Sequence, residues 1–125
     1  MGFLGFGRKN RGDGEPSPRD QRREVDEYLS NWVTARRGVE LFVEPRTTVN
    51  PTTVLLVAHD GEFTRRPVRD PQAAQNFARE AGLPIYDATV VGYPQRMRDY
   101  SRKQKLLEKR ARDADYDEER GRGVL

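Results

Sequence analysis

The chain has 125 residues, a length that allows one ordinary domain with its appendages. It contains 23 Lys and Arg against 20 Asp and Glu, so its formal net charge of +3 is mildly basic. The sequence has no cysteine, which excludes disulfide scaffolds, thiol catalysis and cysteine-ligated metal centres, and its one histidine cannot supply a usual zinc site.

No segment has the pattern of a membrane span or a signal peptide. The longest wholly apolar run, residues 54–58, is far shorter than the roughly 20 residues that a membrane-spanning helix needs. It is also shorter than the roughly 7–15 apolar residues of a signal peptide. We therefore expect a cytoplasmic protein without a transmembrane segment.

Apolar residues are concentrated in the middle of the chain, where residues 25–93 hold 30 of the 43. Residues 8–24 are rich in Arg, Asp, Gly and Pro, a composition that buries too little surface to offset the entropy of ordering. We predict a flexible leader at 1–23, a core domain at 24–94, and a basic helix with a frayed charged tail at 95–125.

The core begins with a predicted amphipathic helix, in which apolar residues recur at helical spacing from Val25 to Val33 before Gly38 ends the segment. Alternating residues 39–44 predict a first strand, and a loop follows at 46–52. Residues 53–59 and 62–68 then predict two strands joined by a tight turn at Asp60-Gly61.

A second helix is predicted after Asp70-Pro71, a capping residue followed by a first-turn proline, and it ends at Gly82. Residues 85–91 predict a fourth strand, and a helical pattern runs from Pro94 to about Ala114. This order predicts an α+β two-layer sandwich: a mostly antiparallel four-stranded sheet with two helices on one face and a projecting basic C-terminal helix.

The last helix carries the strongest charge signal in the chain. Residues 95–112 hold eight basic residues against two acidic ones, a local net charge of +6. Such a helix can neutralise phosphates, and tyrosines at its base can stack on unpaired bases. The alternative is a solvated helix stabilised by the (i, i+4) pairs Asp99–Lys103 and Glu108–Arg112.

The preferred hypothesis is a non-enzymatic interaction module for an anionic partner, which is nucleic acid, a nucleoprotein or an acidic protein surface. The predicted partner-binding residues lie at the end of the first helix, in the first loop and along the last helix. They are Arg36, Arg37, Arg46, Tyr93, Arg96, Arg98, Tyr100, Arg102, Lys103, Lys105, Lys109 and Arg110.

The remaining polar residues give no catalytic or metal site. His59 pairs across a two-residue turn with Glu62, but the sequence places no nucleophile beside it, and we interpret it as a structural or surface histidine. Glu40 and Glu44 are separated by roughly 13 Å of strand, too far for the carboxylate pair of a glycosidase. Arg65 and its neighbour are typical of an edge strand guarded against aggregation.

Several runs give a family resemblance: residues 34–40, 42–48, 82–87 and above all Gly92-Tyr93-Pro94-Gln95-Arg96-Met97-Arg98-Asp99-Tyr100. Over about residues 25–105 the chain resembles a family of small uncharacterised actinobacterial proteins that often carry only the label "oxidoreductase". The resemblance implies a bacterial cytoplasmic protein and an alternative function, a small oxidoreductase or a subunit of one with a nicotinamide or flavin site. The sequence itself shows no GxGxxG motif after a strand, so it predicts no cofactor.

A third hypothesis is a structural adaptor that docks its last helix on another protein through Met97, Tyr100 and Leu107. The sequence leaves the oligomeric state open.

Overall fold

The structure, a computed structural model, describes residues 17–124, with side chains as far as residue 121. Its elements, in chain order, are α1 (Pro18–Thr34), β1 (Glu40–Glu44), β2 (Thr53–Val57), β3 (Phe63–Pro67), α2 (Pro71–Ala81), β4 (Ile85–Asp87), α3 (Ala88–Val91) and α4 (Gln95–Val124).

The four strands form one sheet in the order β3-β2-β1-β4. β1, β2 and β3 form an antiparallel meander, whereas β4 pairs in parallel with β1 because α2 returns the chain to the far edge of the sheet. The α+β class and the four strands are as predicted. The sheet is mixed, however, since one of its three strand pairs is parallel.

One face of the sheet is covered by α1 and α2. Leu29 and Trp32 of α1 and Phe77 of α2 form a buried cluster with sheet residues such as Leu41 and Leu56. In each of these helices the buried side chains lie on one side, as the apolar periodicity of the sequence predicts.

The opposite face of the sheet is also covered at its centre. Phe42, Leu55 and Val57 form a second buried cluster with Ala88 of α3 and Met97 of α4. β2 is therefore buried on both faces of the sheet. This explains why residues 54–58 are continuously apolar rather than alternating with polar residues.

α1 begins at Pro18, well before the helix start near Val25 that the apolar pattern predicts. The Ser17 hydroxyl accepts a hydrogen bond from the Asp20 backbone N–H, and Pro18 occupies the first helical position. This is the cap-and-proline signal that correctly located α2 at Asp70. The rest of the predicted leader, residues 1–16, lies outside the described residues.

The predicted fourth strand is shorter than expected, because β4 ends at Asp87 and the chain turns into the short helix α3. The Asp87 carboxylate accepts hydrogen bonds from both the backbone N–H and the hydroxyl of Thr89. These bonds cap α3 and lower the pKa of Asp87, the hydroxyl bond having the larger effect.

α4 is longer than the apolar stripe predicts and continues to Val124, so it spans about 45 Å. Its first turns lie on the sheet, and every residue from Lys105 to Gly121 is exposed. In the described part of the chain, no helix combines the length and the apolar character that crossing a bilayer requires.

Candidate functional site

The base of α4 is held on the sheet by two glutamates of β1, each of which binds one arginine and one tyrosine. We call this group the anchor; its members are Glu40, Glu44, Arg65, Tyr86, Tyr93 and Arg96.

Glu40 forms the first half of the anchor. Its carboxylate accepts a hydrogen bond of 2.6 Å from Arg96 Nη2 and a longer one, 3.4 Å, from the Tyr86 hydroxyl. Arg96 also donates from Nε to the carbonyl of Ala58 at 2.9 Å, so its guanidinium joins α4 to both β1 and the end of β2. Arg96 is half-buried, and this makes its charged hydrogen bonds stronger than exposed ones.

Glu44 forms the second half. It accepts hydrogen bonds from Arg65 Nε at 3.0 Å and from the Tyr93 hydroxyl. Because the phenol donates to this carboxylate, the pKa of Tyr93 is raised above its usual value. The Arg65 guanidinium also lies over the rings of Phe63 and Tyr93, at 5.6 and 5.9 Å from their centroids.

The anchor connects α4 and the segment before it to the sheet. Both carboxylates bind a guanidinium and a phenol within the molecule. The Glu40–Arg96 pair joins residues 56 positions apart in sequence, and no local pattern could have predicted it.

The hairpin between β2 and β3 contacts the first turns of α4. A Cβ placed at Gly61 would lie 2.0 Å from the Arg96 carbonyl oxygen and 2.9 Å from the Tyr100 Cβ. Gly61 also has a φ of +94°, which favours glycine. Close contact here, together with the buried Met97, fixes which side of α4 faces the sheet.

One exposed side of α4 carries a row of cations, which we call the cationic stripe. Its five members follow one another at spacings of four and three residues: Arg98, Arg102, Lys105, Lys109 and Arg112. This spacing places them within an arc of roughly 80° and along about 21 Å of helix. All five are exposed.

Few internal contacts neutralise the stripe. Arg102 pairs with Asp99 at 3.0 Å and Lys109 with Asp113 at 2.9 Å, but both pairs are solvent-exposed and therefore weak. Within residues 17–121, Lys105 and Arg112 have no ion pair or hydrogen bond through their side chains. The stripe thus remains available to an anionic partner.

The structure separates the other predicted binding residues. Arg36 is bound to Glu62 at 2.8 Å and lies over the Trp32 ring. Arg37 and Arg46 are exposed but lie at opposite ends of β1, so they share no patch with each other.

The remaining predicted residues on α4 divide between two environments. Tyr100 is half-buried beside Gly61, whereas Lys103 and Arg110 are exposed on a side of the helix other than the stripe. Tyr93 and Arg96 belong to the anchor.

His59 does not pair with Glu62 as a two-residue turn would require. The Gly61 N–H donates to the Ala58 carbonyl, and the Ala58 N–H donates to Glu62, which gives a longer loop closed by a glycine of positive φ. His59 is exposed in this loop, and the Glu62 carboxylate binds Arg36 instead.

A groove of about 560 Å³ lies between α1 and α2, lined by Val25 and Phe77 together with charged residues such as Asp26 and Glu80. Partial burial, and then repulsion from Glu80, raises the pKa of Asp26. Among the described residues, no group of three acidic, histidine or cysteine side chains is placed to hold a metal ion.

Comparison of this chain with protein-family models, with curated proteins and with solved structures gave no match.

Proposed function

We propose that this protein is a non-enzymatic module that binds the phosphate backbone of nucleic acid through the cationic stripe of α4. The observation that carries the proposal is the 4-3-4-3 spacing of five exposed cations along one side of the helix, a side centred about 100° from Met97. An extended row of charge fits a polyanion, because several phosphates can be neutralised together and their counterions released.

The solvated-helix alternative predicts the pairs Asp99–Lys103 and Glu108–Arg112. Neither pair forms, although two other exposed pairs, Asp99–Arg102 and Lys109–Asp113, lie along the helix. Asp99 instead binds Arg102 and the Gln95 side chain, and among the described residues Glu108 forms no ion pair. The unpaired members of the stripe favour an external partner.

Charge rather than base stacking is expected to dominate recognition. The Tyr93 hydroxyl is held by Glu44, and Tyr100 is half-buried against the hairpin, so neither tyrosine presents a free stacking platform. We therefore expect binding that depends little on base sequence and strongly on salt.

The test is fluorescence anisotropy with a labelled duplex and a labelled single strand over a salt series. The combined variant Arg98→Gln, Lys105→Gln, Arg112→Gln removes three stripe charges. We expect it to weaken binding at low salt and to reduce the slope of log affinity against log salt by about 3.

A matched control removes three exposed charges on α1 and α2, away from the last helix: Arg19→Gln, Arg23→Gln, Arg79→Gln. The proposal requires the control to keep nearly the wild-type salt slope. Equal losses in the two triple variants would show that net charge alone drives binding, and no binding at low salt by wild type would exclude nucleic acid as the partner.

The oxidoreductase alternative remains a prediction, and the groove between α1 and α2 has a volume in the range of small-molecule sites. A nicotinamide or flavin nucleotide in large excess over its dissociation constant should stabilise the protein by a few kcal/mol. Thermal unfolding with and without each nucleotide measures this; an unchanged midpoint with all of them contradicts the alternative.

A further inference from the structure

The two halves of α4 carry opposite charge. Residues 95–112 have a net charge of +6, whereas residues 113–124 hold five acidic and two basic residues, a net of −3. The sign changes between Arg112 and Asp113, close to the middle of the exposed part of the helix.

The same exposed part carries a narrow apolar face. Leu107, Ala111 and Ala114, preceded by the polar Gln104, continue at spacings of three and four the line of Met97 and Tyr100 that packs towards the sheet. Beyond the sheet this face has nothing over it in the described part of the chain, and Leu107 is 45% exposed. Spacing of this kind is typical of the seam between paired helices.

We propose that α4 pairs with α4 of a second copy in antiparallel orientation, along residues 104–121 and centred between Arg112 and Asp113. In this register the basic half of each helix lies against the acidic half of the other. Ala111 then faces Ala114 of the partner subunit, and these small side chains allow the helices to approach closely. The inference does not rest on the proposed function.

A parallel pair is disfavoured for two reasons. It places basic half against basic half and acidic half against acidic half. It also brings the two cores together, because Met97 shows that each sheet lies on the same side of α4 as the apolar face. In the antiparallel pair the two cores lie at opposite ends, because Met97 falls past the level of Val124 of the partner subunit.

One cross-helix contact makes the register specific. Arg110 is level with position 115 of the partner in this register. Asp117 of the partner subunit flanks the apolar face on the same side as Arg110 and lies about 3 Å further along the axis, within reach of its side chain. Within one helix these residues are seven positions apart, too far for an (i, i+4) pair, and among the described residues neither forms an ion pair. The cationic stripe lies away from this contact and stays exposed in the pair.

Sedimentation velocity over a concentration series tests the proposal with the full chain. We expect the mass to rise from 14.4 kDa towards twice that value with concentration. Arg110→Asp and Asp117→Arg should each weaken self-association by about tenfold, since each turns two attractive contacts into repulsive ones.

Mixing the two single variants is the decisive step. An Arg110→Asp copy and an Asp117→Arg copy complement each other at both contacts, so the mixture should associate about as tightly as wild type. A mixture no tighter than the single variants, or a wild type that is monomeric at every concentration, overturns the proposal.

The relative orientation of the two α4 helices is measured separately, from the distance between spin labels attached to the Arg98→Cys variant. Only this position is labelled, because the chain has no other cysteine. In the antiparallel pair the two labels lie about 40 Å apart along the helix axis, whereas a parallel pair holds them at roughly the interaxial distance of 10 Å. A short distance overturns the antiparallel register.

Discussion

Gly61 is the residue at which the β2–β3 hairpin and the first turn of α4 come closest. We predict that Gly61→Ala lowers the free energy of unfolding by about 2–4 kcal/mol, because the added methyl group meets the Arg96 carbonyl and the residue has positive φ. Urea denaturation followed by circular dichroism measures this.

Gly82→Ala is the matched control for that substitution. Gly82 has a φ of +70° at the end of α2, but nothing lies within 4 Å of an added Cβ. Gly82→Ala should lower the free energy of unfolding only through the strain of a positive φ, by about 1 kcal/mol. Equal losses at the two glycines would mean that contact with α4 contributes nothing to the effect at Gly61.

Asp26 provides a pH-dependent prediction. Its pKa is raised above the ordinary value of 3.8 by burial and by Glu80, so ionised Asp26 lowers stability when the pH exceeds its pKa in the folded state. This cost disappears as the pH falls towards 3.8. Asp26→Asn should therefore raise the free energy of unfolding at neutral pH by a few tenths of a kcal/mol, small because the carboxyl is largely exposed.

The same substitution should have no effect below about pH 2.5, where aspartic acid is protonated in both states. Glu27→Gln, exposed on the same helix, is the control and should leave stability unchanged at both pH values. Chemical denaturation at the two pH values checks both variants, and a gain that persists in acid contradicts the assigned cause.

Residues that act through near neighbours in sequence could be predicted, and residues that act across the fold could not. Asp70, Pro71 and Gly82 located α2 correctly because caps and stops depend on backbone groups a few positions away. Arg96 was predicted to bind a partner, yet its position over the sheet depends on Glu40, a residue brought near it only by folding.

At the scale of elements, α4 depends on its anchor. We predict that Arg96→Ala lowers the free energy of unfolding by about 1–3 kcal/mol, because Glu40 and the Ala58 carbonyl lose a half-buried charged donor. Arg98→Ala, two positions on, removes only an exposed and long hydrogen bond to the Tyr93 carbonyl and should change stability by less than about 0.5 kcal/mol.

Thermal and urea unfolding of both variants measure this difference. Since both remove one arginine from the same helix, their comparison cancels the effect of net charge and of helix propensity. A loss of similar size in both would show that the Glu40–Arg96 pair contributes little.

Element boundaries were less predictable than the elements themselves. The run at residues 85–91 is rich in Ile, Tyr, Val and Thr, which favours a strand, but capping by Asp87 ends β4 after three residues. α1 shows the reverse error, since its first turns carry no apolar face and only Ser17 and Pro18 mark its start. In both cases a capping side chain decided the boundary.

At the scale of the whole molecule, the structure separates a folded core from an exposed helix. We predict that, at a concentration at which the full chain is monomeric, a chain ending after Gln104 keeps the stability of the core within about 0.5 kcal/mol, because residues 105–121 are all exposed. Its helical circular dichroism should fall in proportion to the residues removed.

A chain ending after Gly92 is the contrasting variant. It removes Tyr93, Arg96 and Met97, and so exposes Phe42 and leaves both glutamates of β1 without one of their partners. We expect it to unfold at markedly lower urea concentration than the chain ending after Gln104. Equal stability of the two would contradict the assignment of the second buried cluster to the core.

α4 is much longer than the part of it that contacts the sheet, so small changes at its base move its far end by a large distance. About three turns of α4 contact the sheet, and the remaining turns, as far as residue 121, are exposed. Because the helix is about 45 Å long, tilting it by one degree at its base moves its far end by about 0.8 Å. Rotation is as sensitive: one extra residue inserted just past Gln104 would turn everything beyond it by about 100°. The direction of the whole helix is therefore set by a few contacts at its base: the Glu40–Arg96 pair, the buried Met97 and the close approach of Gly61.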